Sequence, residues 1–292
     1  MKPHLLKTTL LLFLLLISSN VRAESSVWMV SSSRGNVYLA GSFHILRASD
    51  YPLPAEFFTA YKDSRKIVFE VQPDAEEDPA FMGDFLSGAI YIDGSTLKDH
   101  VSPAAYAKAE KFCKERNYSL EQYQLFKPAL FVTMLTVLEM NRIGADPQKG
   151  IDYYFQEKAR QDGKATGSLE TVDQQIKLLL SMDAGLGSDQ IIESIEELNR
   201  IESALDEYLA AWRNGNESRM EELYIKELRN YPKLYKTMIV DRNNKWLTDI
   251  KAYLNGSGNT MIIVGTAHLV GADGLVNLLR KQGYKVVKLQ NK

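Results

Sequence analysis

Cysteine occurs once in the 292 residues, at Cys113, so the chain can form no internal disulfide and has no CxxC pair. Cys113 lies in AYAKAEKFCKERN, a helical pattern with no histidine nearby in sequence, and is expected to be a buried, inert thiol. Charge of one sign is also lacking. Lys and Arg total 35 against 37 Asp and Glu, so no positive excess exists to neutralise a phosphate backbone, which argues against nucleic-acid binding. Several catalytic signatures are missing: there is no G-x-S-x-G, no P-loop, no G-x-G-x-x-G after a strand and no H-E-x-x-H. An apolar run of about 20 residues, enough to span a bilayer, does not occur either. The longest, TTLLLFLLLI at residues 8–17, has eight large apolar side chains.

That run follows Lys2 and Lys7 and precedes SSNVRA, with Val21 and Ala23 as the two small residues before Glu24. This is the order of a secretory signal peptide over residues 1–23, cleaved after Ala23. No cysteine near that bond supports a lipid anchor. Losing Lys2, Lys7 and Arg22 leaves 32 basic against 37 acidic side chains. The expectation is a mildly acidic protein, periplasmic or secreted, with no stable membrane insertion after cleavage. At this size a hydrophobic core suffices without disulfides.

The remainder is expected to be one α/β domain over residues 24–292, with a helical insertion at about 100–255. VWMVSS and NVYLAGS form two strands around the turn Ser33-Arg34-Gly35-Asn36. A helix covers 54–64, and KIVFEV at 66–71 is a buried strand, followed by a solvated acidic stretch PDAEEDP. Helix starts are marked by Ser102-Pro103, by Ser119 with Gln122, by Pro128, by Gly150-Ile151-Asp152 and by Thr171 with Gln174. Residues 164–169 form a brief strand-like connection, and one long acidic amphipathic helix is expected over 188–212. Helical stretches follow at about 217–229 and 231–254. TMIIV at 260–264, a helix at 273–282 and KVVKL at 285–289 form a closing strand–helix–strand unit. The fold class is therefore α/β, with a mixed sheet built from both chain ends.

Beyond residue 23 only three histidines occur: His44, His100 and His268. Two share a local pattern. Gly41-Ser42-Phe43-His44 follows the strand VYLA, and Gly265-Thr266-Ala267-His268 follows MIIV. A glycine past a strand end lets the chain turn, so both histidines would project over the carboxyl edge of the sheet, where ligands bind in open α/β folds. Brought together they could share a metal ion; apart, each would only cap a turn. His100, in LKDHVSP, is a surface or capping residue. Glu70 interrupts the apolar run of its strand, a costly placement unless it is paired or metal-bound, or sits on an edge facing water. It would join the site if its strand neighboured that of His44. Glu170 could be a second site carboxylate or a favourable charge at the helix start after Thr171. Asp152 reads as a cap or helix-dipole partner. Arg242, in VDRNNKWL, could orient a carboxylate or stabilise an oxyanion.

These residues resemble the TraB/GumN family. The resemblance is carried by GSFH followed by Tyr51-Pro52-Leu53-Pro54, by Phe69-Glu70-Val71, Gly150-Ile151-Asp152, Leu169-Glu170-Thr171 and Arg242-Asn243, and by GTAHLVGADGLVNLLRKQGYKV. Trp246 stands where a methionine is expected after the Arg-Asn pair. The resemblance implies a fold similar to erythromycin esterase and ChaN-like proteins. It also implies functional roles for Gly41, His44, Glu70, Glu170, Arg242, Gly265 and His268. Animal Tiki proteins of this family are metal-dependent proteases. The resulting expectation is an exported metal-dependent hydrolase acting on a peptide or small-molecule substrate. A divalent Mn, Co or Zn ion would sit on His44, His268 and Glu70, with Glu70, Glu170 and Arg242 as catalytic groups; which glutamate is ligand and which is base stays open. The alternative is a non-catalytic exported metal- or ligand-binding protein.

Overall fold

The computed structural model describes residues 24–72, 79–185 and 187–290. The expected signal peptide at 1–23 and most of the acidic stretch at 73–79 lie outside them. From the amino end come β1 (Glu24–Ser31), β2 (Asn36–Ser42), β3 (Leu46–Arg47), α1 (Ala55–Asp63) and β4 (Lys66–Phe69). The middle supplies α2 (Pro79–Ala89), α3 (Leu97–His100), α4 (Pro103–Arg116), α5 (Pro128–Arg142), β5 (Ala145–Asp146), α6 (Ile151–Gln161) and β6 (Ala165–Ser168). Then follow α7 (Val172–Ser181), α8 (Ser188–Leu198), α9 (Ile201–Arg213), α10 (Glu217–Tyr224), α11 (Pro232–Tyr235) and α12 (Asp241–Asn255). The carboxyl end adds β7 (Thr260–Gly265), α13 (Leu275–Lys281) and β8 (Lys285–Gln290).

Six strands form one mixed sheet in the order β6-β4-β7-β2-β1-β8. β6, β4, β7 and β2 are mutually parallel, and only β1 runs against the others. The central strands β4, β7 and β2 are buried on both faces, which is why KIVF, TMIIV and VYLA read as continuous apolar runs. The closing β7–α13–β8 unit has parallel strands, but β2 and β1 lie between them. The sheet thus joins both chain ends, and its outer strand β6 comes from the helical middle.

Helices cover this sheet around the three tryptophans Trp28, Trp212 and Trp246, all fully buried. A second apolar cluster sits among α3, α4, α5 and α8, and contains the buried Cys113. Burial raises the Cys113 thiol to about 11, as suits an inert side chain. Beside this cluster Glu139 is fully buried, accepting from Arg116 Nε (3.1 Å), Arg142 Nε (2.9 Å) and Tyr118 OH (2.9 Å).

The single helix expected over 188–212 is two helices, broken between Leu198 and Ile201. Ile191, Ile195 and Leu198 pack into the second cluster, whereas Leu205, Leu209 and Trp212 pack into the main core. The break at Asn199-Arg200 lets the two segments serve different cores. Among the described residues no helix is long and apolar enough to cross a membrane.

Candidate functional site

Four adjacent parallel strands end on one edge of the sheet, and each is followed within three residues by a candidate side chain. Glu170 follows β6, Glu70 follows β4, His268 follows β7 and His44 follows β2. The register fixes this alignment: Phe69 pairs with both Ser168 and Ile263, and Ser42 pairs with Gly265. Pairing persists past the strand ends, where Glu170 N donates to Glu70 O at 2.8 Å. β4 neighbours the His268 strand rather than the His44 strand, because β7 lies between β4 and β2. Glu70 is nonetheless buried at the edge both histidines share.

Arg242 is the hub. It lies in the first turn of α12, directly after a π-helical turn at Lys236–Val240, a distortion common at functional sites. Its guanidinium donates to Glu170 through Nε (2.8 Å) and Nη2 (3.0 Å), a bidentate pair. Nη2 also reaches Glu70 Oε2 at 2.5 Å, and Nη1 reaches His268 Nε2 at 2.9 Å. Trp246 Nε1 donates to Glu170 Oε1 at 3.2 Å, and its ring lies under the guanidinium, 4.6 Å away. Trp246 therefore both packs and orients the charged pair. Glu170 faces Arg242 and Trp246 with both oxygens. Beside this pair, between α7 and α12, opens a cleft of about 330 Å³ edged by Gln174, Lys177, Thr237 and Lys245.

Each of the two imidazoles is held at Nδ1. Asn243 Nδ2 donates to the carbonyls of His268 (3.1 Å) and Asp273 (2.8 Å), so its Oδ1 must be the acceptor toward His268 Nδ1 at 2.8 Å. His268 is thereby the Nδ1–H tautomer, and its Nε2 lone pair accepts from Arg242. At His44, Nδ1 lies 2.8 Å from Asp152 Oδ2. Asp152 does sit in the first turn of α6, as a helix-dipole partner would, but its carboxylate also orients His44. The His44 side chain is 63% exposed and that of Asp152 12% exposed, so the fixed partner is the buried one.

Gly265 shows where these groups meet. A Cβ there would lie 3.3 Å from Glu70 Oε1, 3.6 Å from His44 Nε2 and 3.7 Å from His268 Cδ2. Both imidazoles and the carboxylate thus border one small cradle that a side chain would fill. Gly265 N also donates to Glu70 Oε1 at 2.6 Å. The turning freedom expected of the two motif glycines is not what they supply. Gly265 has φ −50° and Gly41 is not among the positive-φ glycines. Both are required for space: a Cβ at Gly41 would come within 2.9 Å of Thr266 Oγ1.

The electrostatics follow from these contacts. Burial alone would raise the Glu70 carboxyl, but His268, Arg242, His44 and the Gly265 N–H together bring it down to about 2. Burial pushes His268 down to about 3 and keeps it uncharged, so at neutral pH the Arg242 guanidinium and the Gly265 N–H act on Glu70 without help from that imidazole. Burial opposes the Arg242 charge, yet Glu70 and Glu170 outweigh it and raise its pKa. Two buried carboxylates, Glu70 and Glu170, face one guanidinium, and a third, Asp152, faces His44, so carboxylates outnumber the guanidinium in the cluster. Among the described residues, no three His, Cys, Asp or Glu side chains are gathered as a metal-holding group. Arg242 Nη1 takes the His268 Nε2 lone pair, so that bond must be exchanged before His268 could bind a cation.

His100 lies away from this cluster, exposed at the end of α3, stacked on Tyr91 at 4.1 Å and bonded to Ser95. The expected site residues His44, Glu70, Glu170, Arg242 and His268 do come together. Asp152, Asn243 and Trp246 join them, and for these the sequence offered only the Gly-Ile-Asp and Arg-Asn pairs as a signal.

The profile of the TraB/PrgY/gumN family matches residues 26–288. The chain is similar to "Uncharacterized protein YbaP" of Escherichia coli (strain K12), 23% identical over 257 residues that cover 83% of this chain and 87% of the relative. The same protein of Shigella flexneri matches to the same extent. No solved structure matches significantly. With a match spanning the sheet, the helical middle and every residue of the cluster, the chain belongs to the TraB/PrgY/gumN family.

Proposed function

We propose that the chain is an exported metal-dependent hydrolase acting on peptide bonds. The observation that carries this reading is the cradle at Gly265, bordered by His44 Nε2, Glu70 Oε1 and the His268 ring. The donor chemistry fits a divalent ion. Both imidazoles are anchored through Nδ1 by a second residue, the arrangement that aims a histidine's Nε2 at a metal. The nitrogen and oxygen donors suit Mn²⁺, Co²⁺ or Zn²⁺, and the excess of carboxylates supplies the negative field. The peptide class rests on the family, whose Tiki branch comprises metal-dependent proteases, and export rests on the leader at 1–23.

A bound divalent ion would supply a Lewis acid and lower the pKa of water at the site. His44 and His268 would hold it through Nε2, with Glu70 completing the set. Glu70 faces the cradle through Oε1 and, where it is not the third ligand, would instead take the proton of the attacking water. Arg242 donates to the oxygen on which charge builds, and Glu170 with Trp246 holds the guanidinium in place.

The test is metal analysis of the purified protein, then cleavage of a peptide library with chelator and with added Mn²⁺, Co²⁺ or Zn²⁺. Activity should vanish with chelator and return with metal. His44→Ala and His268→Ala should each abolish metal binding. Full metal content and activity in both variants would refute the proposal. Metal binding without cleavage of any peptide or ester would replace it with a metal-binding protein.

A further inference from the structure

The cleft between α7 and α12 has no part in the chemistry above. It holds about 330 Å³, at the small end of the range for ligand sites. Charged side chains line it from both sides: Glu170 and Lys177 from the α7 side, Asp241, Arg242 and Lys245 from α12. Both acids are engaged. Asp241 accepts from Lys236 Nζ with its two oxygens, at 2.5 and 2.6 Å, and Glu170 faces Arg242 and Trp246. The two lysines differ. Neither Lys177 nor Lys245 makes an ion pair or hydrogen bond among the described residues, not even with Asp173 and Asp249, one turn away on the same helices.

Two ammonium groups bordering one cleft raise its potential and repel each other, and an anion between them relieves that repulsion. An ammonium binds a carboxylate as a point charge through rotatable donors, so the pair selects for charge without demanding one geometry. Leu178 adds an apolar wall, which suits a carboxylate carried on a carbon chain better than a bare inorganic anion. Arg242 ties this cleft to the cradle. Its Nε and Nη2 bind Glu170 beside the cleft, while Nη1 and Nη2 reach His268 and Glu70 beside the cradle.

We propose that the cleft is a carboxylate subsite of the peptide-binding region, in which Lys177 and Lys245 select peptides carrying negative charge next to the bond cleaved. The carboxylate is that of an Asp or Glu side chain or of the peptide's own C-terminus; the two present the same group to the lysines. A peptide that crosses Arg242 from the cradle places its flanking residue here. The peptide rests on the hydrolase reading, and the charge rests on the two lysines.

The test is an NMR titration of isotope-labelled protein, with chelator present, using three acetylated tripeptides. Ala-Ala-Glu amide carries only a side-chain carboxylate, Ala-Ala-Ala acid only a terminal one, and Ala-Ala-Gln amide neither. One of the first two should bind wild type about fivefold or more tightly than the third, the size that two exposed ion pairs supply, and whichever does so names the source. Lys177→Ala/Lys245→Ala should remove the preference; both side chains are exposed, so no core cavity is opened. Lys177→Glu/Lys245→Glu should reverse it in favour of Ala-Ala-Lys amide. Lys111→Ala/Lys285→Ala removes the same charge from exposed lysines on α4 and on the far edge strand β8, and should leave the preference intact. The proposal is overturned if wild type prefers neither carboxylate peptide, if the Lys177→Ala/Lys245→Ala protein keeps the preference, or if the α4 and β8 substitutions weaken it equally. Binding is read without metal or turnover, so the hydrolase reading fails separately. A lysine-dependent preference with no cleavage under any metal upholds the subsite and removes the hydrolase; cleavage without any preference removes the subsite and leaves the hydrolase.

Discussion

Replacing Arg242 with methionine removes the guanidinium that reaches Glu70, Glu170 and His268 at once. Methionine fills much of the same volume over Trp246, so the main loss is charge. Glu70 and Glu170 would be left buried without a counterion. Removing one partner of a buried ion pair costs about 3–5 kcal/mol, because the remaining charge is uncompensated. For a chain of this size that is a fall in Tm of roughly 10 °C. The assay is thermal unfolding of wild type and Arg242→Met at pH 7 and pH 5.

The pH dependence has a definite sign. In wild type the Glu70 carboxyl lies at about 2, below its ordinary 4.5, so its stabilising effect is present above pH 4.5 and is lost as pH falls toward 2. In Arg242→Met burial of Glu70 acts unopposed by the guanidinium, and its carboxyl pKa rises above the unfolded value. The folded state then binds protons more readily than the unfolded chain. The deficit against wild type should be largest at pH 7 and shrink toward pH 5. A divalent cation should also stabilise the variant more than wild type, since binding at about 100 times Kd contributes roughly 2.7 kcal/mol. Equal Tm values at pH 7, or a deficit unchanged at pH 5, would show that Arg242 is not the counterion of two buried carboxylates.

Asp152→Ala should weaken Mn²⁺ binding by about 10–100-fold in calorimetric titration, as expected when the partner of a liganding histidine is removed. Glu70→Gln should lose metal if Glu70 is a ligand, and keep metal but lose turnover if it is only the base; Glu170→Gln should keep metal and lower kcat by loosening Arg242. In the helical middle, the double change Arg116→Ala/Arg142→Ala leaves Glu139 buried beside Tyr118 alone, and urea unfolding should register a loss of about 3 kcal/mol. His100→Ala should alter neither metal content nor turnover, because its ring contacts Tyr91 and Ser95 at the surface.

The strands were legible because each is a local event. KIVF, TMIIV and VYLA bury both faces, and that leaves a run of β-branched and aromatic residues in the sequence. Strand order was not legible. Placing Glu70 required knowing that β7, some 190 residues further along the chain, slots between β4 and β2; nothing local to either strand encodes that. The break at Asn199-Arg200 was hidden for a related reason. Each half of the segment keeps a good amphipathic period, and only the existence of two separate cores forces the period to reset.

The site divides in the same way. His44 and His268 stood out because one short pattern, strand-Gly-x-x-His, occurs twice. Their supporting residues carry no such mark: Asp152 is 108 positions from His44, and in sequence it is an ordinary first-turn acid. The π-helical turn before Arg242 has no compositional signature at all. The glycines are the instructive case. The local reading gave Gly41 and Gly265 a turning role, yet neither needs a left-handed backbone. Each is small because another part of the chain approaches it: Thr266 at Gly41, and Glu70 with both histidines at Gly265. A glycine kept for space reports a tertiary neighbour, and its meaning appears only when that neighbour is in place. Gly265→Ala separates the two explanations. A turn-forming glycine with φ −50° would tolerate alanine, whereas a glycine kept for space would not. The added Cβ, 3.3 Å from Glu70 Oε1 and 3.6 Å from His44 Nε2, occupies the cradle itself. The variant should therefore fold, with Tm within a few degrees of wild type, and lose metal binding; an alanine protein that binds Mn²⁺ as wild type does would remove the cradle as the site of binding.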